Sequence, residues 1–176
     1  MVEGLLYCAR REARKGLDTL YFRIHSSGEF YSVDYIVKWQ DITKKLLSLE
    51  LPTKIALWAP TRQYKGAMLQ ALIDLQALSN DKVIVAIRPS VMEIGDSIPV
   101  IEGLSAGSGV QVDGTGTCPA VKAGIINRAN SAAIRDGEVV AEEHSCRGQG
   151  CRKCWLSLET PITYDLHGHG VSRSMA

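Results

Sequence analysis

The chain has 176 residues, with 20 Lys and Arg against 19 Asp and Glu and a hydrophobic share of 45%, enough to bury one sizeable core and hardly two. A net charge of +1 gives no global attraction to nucleic acid or anionic membrane. No stretch approaches the roughly 20 apolar residues of a membrane helix, and the opening MVEGLLYCARREARKG is too charged for a signal peptide, so a cytoplasmic protein with no membrane contact is expected.

The segment LLYCARREARK is helix-like, with Cys8 as an isolated packing residue. Thr19 to His25 (TLYFRIH) is rich in β-branched and aromatic residues and reads as a strand. After the turn-forming SSGEF, residues Ser32 to Leu49 carry Tyr35, Ile36, Trp39, Ile42, Leu46 and Leu49 at helical spacing, with Ser32 as N-cap. Lys54 to Trp58 (KIALW) is a second strand, and a helix from about Gln63 to Leu78 follows, burying Met68, Leu69, Leu72, Ile73 and Leu75. Val83 to Ile87 is the continuous apolar run of a strand covered on both faces. Beyond Arg88 the chain turns rich in Gly, Pro and Ser, with Ile98 to Ile101 and Val110 to Val112 as short strand candidates.

Successive β-α units predict an α/β fold with a parallel sheet, here partial and (β/α) barrel-like, followed by an irregular metal-binding C-terminal segment. Residues 1–116 form the β/α core in this reading, and residues 117–176 form a cysteine-rich segment packed on the same domain.

Cys118, Cys146, Cys151 and Cys154 stand as C-x27-C-x4-C-x2-C. Four thiolates close a tetrahedral zinc site or hold an iron-sulfur cluster, and spacing does not choose between them. Arg147, Arg152 and Lys153 flank the sulfurs and favour the thiolate form. His144 is a spare ligand that could replace Cys146. The competing readings are small buried cysteines with no metal and a redox pair of Cys151 with Cys154.

In parallel α/β folds functional groups gather where strands end. His25, Ser26, Ser27, Gly28 and Glu29 follow the first strand, Thr61 and Arg62 follow the second, and Arg88 follows the third. Glu29 suits a ligand amine, Arg62 or Arg88 an anionic group, and His25 a proton transfer. The plainer alternative makes SSGE a turn that begins a helix, with Glu29 near the helix dipole.

HSSGEFYS before a Trp-containing helix, then ALWAPTRQYK, TCPA and CRKCW, resembles the phage gene product 88 domain family, over about Phe22 to Leu166. Phage encoding would place the protein in the host cytoplasm. The resemblance implies kinship with radical S-adenosylmethionine enzymes. Ser27, Gly28 and Glu29 then match the position that meets S-adenosylmethionine, and the late cysteines match an auxiliary cluster. Only Cys8 precedes the SSGE segment, whereas the catalytic cluster of such enzymes needs three cysteines. Radical generation by this chain alone is therefore not expected, and another polypeptide or self-association could complete the site.

Two functional readings follow. One is a zinc or iron-sulfur protein of phage type, related to radical S-adenosylmethionine enzymes, with a pocket formed by His25, Glu29 and Arg62. The other is a zinc-stapled interaction module contacting nucleic acid or a host or phage protein through Arg147, Arg152 and Lys153. A thiol redox protein is a third possibility.

Overall fold

The structure, a computed structural model, describes residues 1–25, 29–111, 117–118 and 152–165. In chain order the elements are α1 (Val2–Arg14), β1 (Thr19–Arg23), α2 (Val33–Leu47), β2 (Lys54–Thr61), α3 (Gly66–Gln76), β3 (Val83–Pro89), β4 (Ser108–Gln111), α4 (Lys153–Leu156) and β5 (Ile162–Asp165). The α/β alternation expected of the first half is present. Among the described residues no helix is long and apolar enough to cross a membrane.

The first three strands form a parallel sheet in the order β1-β2-β3. Period-two alternation sends Leu20, Ile55, Leu57, Ala59, Val83, Val85 and Ile87 to one face, where they pack on Leu5, Leu6 and Ala9 of α1, Ile36, Trp39 and Leu46 of α2, and Ala71, Leu72 and Leu75 of α3. Each fully buried Leu or Ile contributes roughly 1.5–3 kcal/mol. Ser32 caps α2 as expected, its Oγ accepting from Tyr35 N at 3.1 Å. Gln40 Nε2 donates to Ala71 O at 2.8 Å and ties α2 to α3.

The opposite face carries Tyr21, Ala56, Trp58, Ile84 and Ala86 against Cys118, Cys154, Trp155, Leu158, Ile162 and Tyr164. Ala56 and Ala86 are small, so the indole of Trp155 can sit close to the sheet, 5.2 Å between centroids from Trp58. Its Nε1 donates to Phe22 O at 3.2 Å. Strands β4 and β5 pair in parallel, and a parallel bridge from Ser90 to Ser108 links β4 to the end of β3.

Several boundaries differ from expectation. Strand β2 runs on through Pro60 to Thr61. Trp58 O accepts from Ile24 N at 2.8 Å, so Pro60, two residues on, turns its missing donor to a side where β1 has already ended. Helix α3 begins at Gly66 rather than Gln63, because Gln63 N donates to Thr61 Oγ1 at 3.0 Å and the chain turns there. Ile98 to Ile101 is not a strand. It passes beside Gly107, just ahead of β4: a Cβ there would lie 2.5 Å from Pro99 O and 2.8 Å from Ile98 Cγ2. Strand β4 starts at Ser108, ahead of the expected Val110. Among the described residues three strands form the first sheet and two more the second, an α/β architecture built on a parallel sheet.

Candidate functional site

A cavity of about 760 Å³ opens where the parallel strands end, the usual place for a site in such sheets. Arg23 closes β1 beside it, Trp58 and Pro60 lie in the last part of β2 with Arg62 just after it, and Ser90 to Ile94 follow β3. Ser108 to Val110 of β4, Tyr164 of β5, and Cys118, Cys154 and Trp155 complete the lining, together with Glu29.

Two groups that the sequence presents separately therefore share one space: the strand-end residues Glu29 and Arg62, and the cysteines Cys118 and Cys154. Both cysteines are nearly sealed from solvent, at 4% and 7% exposure. Strand β5 links them. Cys118 N donates to Thr163 O at 2.9 Å, and Tyr164 Oη lies 3.2 Å from Cys154 Sγ. Burial, reinforced by Cys154, pushes the Tyr164 phenol far above its ordinary value, so it keeps its proton and can donate to the sulfur. Cys146 and Cys151, as well as His144 and Arg147, lie outside the described residues. Among the described residues no three His, Cys, Asp or Glu side chains gather as a metal site.

Glu29 spans two elements. Its Oε1 accepts from Phe30 N at 2.9 Å and its Oε2 from Arg62 N at 2.8 Å, so the carboxylate pins the turn after β1 to the end of β2. Ser26, Ser27 and Gly28, expected beside it, lie outside the described residues. His25 is buried away from the cavity lining, between Phe30, at 4.6 Å between centroids, and Tyr35, at 5.6 Å. Its Nε2 is 3.2 Å from Tyr35 Oη, while Nδ1 is buried with no hydrogen-bond partner among the described residues. Burial lowers the His25 pKa, Arg23 adds to the lowering and Glu29 opposes it; the ring is neutral near neutral pH.

Arg88 corrects an expectation. Placed by sequence at the rim for an anion, it is fully buried and spends all five N–H donors on carbonyls. Nε donates to Cys154 O at 3.0 Å, Nη1 to Ala106 O at 2.6 Å and Thr160 O at 3.0 Å, and Nη2 to Lys153 O at 2.9 Å and Ser157 O. Three of these acceptors, Lys153 O, Cys154 O and Ser157 O, belong to α4 and its cap, where most carbonyls lack helical partners, although Lys153 O also accepts from Ser157 N at 3.0 Å. Desolvation lowers the Arg88 pKa, while Cys154 and Tyr164 nearby favour its charge. This guanidinium fastens the C-terminal segment to the sheet and has no donor left for a ligand.

Sequence reasoning did not single out Arg23, Trp155 or Tyr164. The alternation in TLYFR places Arg23 on the face opposite Leu20 and Phe22, a signal that could have found it. ITYD is too short to stand out as a strand by itself.

The family model for Gene product 88 matches residues 2–158, so the match includes α1, ahead of the segment from which the resemblance was drawn. No curated protein and no solved structure matches the chain. A match across this much of the sequence identifies the fold just described, with its cavity between sheet and C-terminal segment, as that of a member of the Gene product 88 family, a phage protein family.

Proposed function

We propose that this protein holds a metal, zinc or an iron-sulfur cluster, at the inner wall of the strand-end cavity, with Cys118 and Cys154 as two of its ligands. The supporting observation is their meeting in one buried cluster and one cavity, although 35 residues separate them along the chain. Cys146 and Cys151 are the remaining ligands that the sequence spacing suggests. The fit rests on donor chemistry. Two sulfurs face the same space, and a protonated phenol beside one of them can donate to a thiolate as an outer-shell group does around a metal.

In this reading the metal organises residues 117–176 as a segment packed on a β/α core of residues 1–116, and the chain is related to radical S-adenosylmethionine enzymes without being a self-sufficient catalyst. Glu29 lines the cavity and would meet the amino group of S-adenosylmethionine, with Ser27 and Gly28 beside it in sequence. Bound metal would supply structural cross-linking or, as an iron-sulfur cluster, electron transfer; the chain's own groups would seat a ligand and exclude water. The alternative of a zinc-stapled nucleic-acid module gains less support, because the Arg152 guanidinium stacks over the Tyr21 ring at 4.3 Å and is engaged in packing.

Metal analysis of the purified protein, alongside its visible spectrum, tests the reading. Bound zinc or sulfide-bridged iron in stoichiometric amount is expected, and Cys118→Ser and Cys154→Ser should each lose most of it and melt at lower temperature, since metal binding contributes directly to folding. Parent protein with no metal after anaerobic preparation, or variants that keep the parent's metal content, would end the proposal. Calorimetric titration with S-adenosylmethionine, using Glu29→Gln as control, tests the cofactor separately. Absence of heat with the parent protein removes it.

A further inference from the structure

The cavity has a charged wall that the metal reading does not use. Arg23 and Arg62 both line it, at the ends of β1 and β2. The Arg23 guanidinium lies over the Trp58 ring at 4.7 Å, a contact that orients it. Among the described residues neither guanidinium is in an ion pair. The Glu29 carboxylate is occupied by the amides of Phe30 and Arg62, and Glu93, also on the lining, reaches neither arginine. Two cations so placed, each with a planar fork of donors, suit a phosphate or carboxylate.

The rest of the lining is largely apolar, with Trp58, Val91 and Met92. A space of about 760 Å³ lies in the range of small-molecule sites, roughly 300–1,000 Å³, and is far too large for an inorganic anion alone. We propose that the cavity binds an organic oxyanion with a planar, largely apolar body, its phosphate or carboxylate group held between Arg23 and Arg62. The site stands on the arginines and the cavity walls, and it does not require the metal.

Isothermal titration of the full chain with adenosine 5′-monophosphate, indole-3-acetate, adenosine and inorganic phosphate tests it. At least one of the two organic anions should bind at least ten-fold more tightly than adenosine and than inorganic phosphate, and which of them binds identifies phosphate or carboxylate as the recognised group. Arg62→Gln and Arg23→Gln should each weaken that binding several-fold, with Arg62→Lys recovering part of it. Both arginines are exposed, so these variants should melt like the parent. If either melts lower, its lysine counterpart supplies the comparison. The proposal is overturned if neither organic anion outbinds adenosine, if inorganic phosphate binds as tightly, or if the arginine variants bind unchanged. Metal content measured on the same samples reports separately on the cysteines.

Discussion

On the helical face of the sheet, Leu57, Val85 and Ile87 meet α2 and α3 through aliphatic contact. On the other face, Ala56 and Ala86 make room for Trp155, and a charged side chain, Arg88, is sealed from solvent. The first face is held by non-directional burial, which tolerates repacking. The second is held by five directional bonds from one guanidinium to carbonyls of the 106 and 153–160 regions. A short α4 with weak periodicity could not be positioned by apolar area alone; a buried cation that takes up its terminal carbonyls positions it, and with it Cys154 and the cavity wall.

The comparison breaks most directly at Arg88. Arg88→Met keeps the length of the side chain and removes every donor, leaving the carbonyls around it short of partners. A loss of about 3–5 kcal/mol is expected, read as a lower urea midpoint. Hydrogen exchange sharpens the point: protection should fall more over residues 153–162 than over α2. Equal loss in both would show that the two layers open as one unit and that the distinction between them has no energetic meaning.

A smaller effect is expected at Gly107, just ahead of β4, where the preceding segment passes close by. Gly107→Ala would bring a Cβ to 2.5 Å from Pro99 O and 2.9 Å from Pro89 O. Both are backbone atoms that cannot rotate away, so the overpacking should cost about 1–3 kcal/mol. Because this segment also supplies Val91 and Met92 to the cavity, the variant should weaken small-molecule binding along with stability. A melt unchanged from the parent would mean that the crossing is looser than the contacts require.

The helical face was legible in the sequence because burial there follows a period. Ile36, Trp39 and Leu46 recur at spacings of three and seven residues, and the continuous run Val83 to Ile87 marks a strand covered on both sides. The other face was legible only in its cysteines. Arg88 looked like a rim residue because a charged side chain after an apolar run is usually solvated, and no local pattern reveals that carbonyls 18 to 72 positions away will surround it. Likewise ITYD becomes a strand only by pairing with residues 108–111, a long-range contact without a local period. Glu29 and Arg62 were found because strand ends are where such sheets place their polar groups, yet the bond from Arg62 N to the Glu29 carboxylate is tertiary and lies beyond any spacing rule.

The smallest expected effect concerns a strand-end residue that packs against the helical core. His25 lies against Phe30 and Tyr35, with Glu29 and Arg23 as its charged neighbours. Burial holds its folded pKa below the ordinary imidazole value of 6.5, so the unfolded chain binds the proton more readily than the native one. Stability should then be level above about pH 7 and decline as the pH falls below about 6.5, by at most about 1.4 kcal/mol per pH unit for one proton. The decline should end once the pH passes below the folded pKa. His25→Phe removes the titrating group while keeping a ring between Phe30 and Tyr35. It can shift the stability at every pH, but the parent should lose stability relative to the variant between pH 7 and pH 5. Parallel urea midpoints across that window would mean that the ring accepts a proton in place, and that its buried Nδ1 reaches solvent more easily than its burial implies.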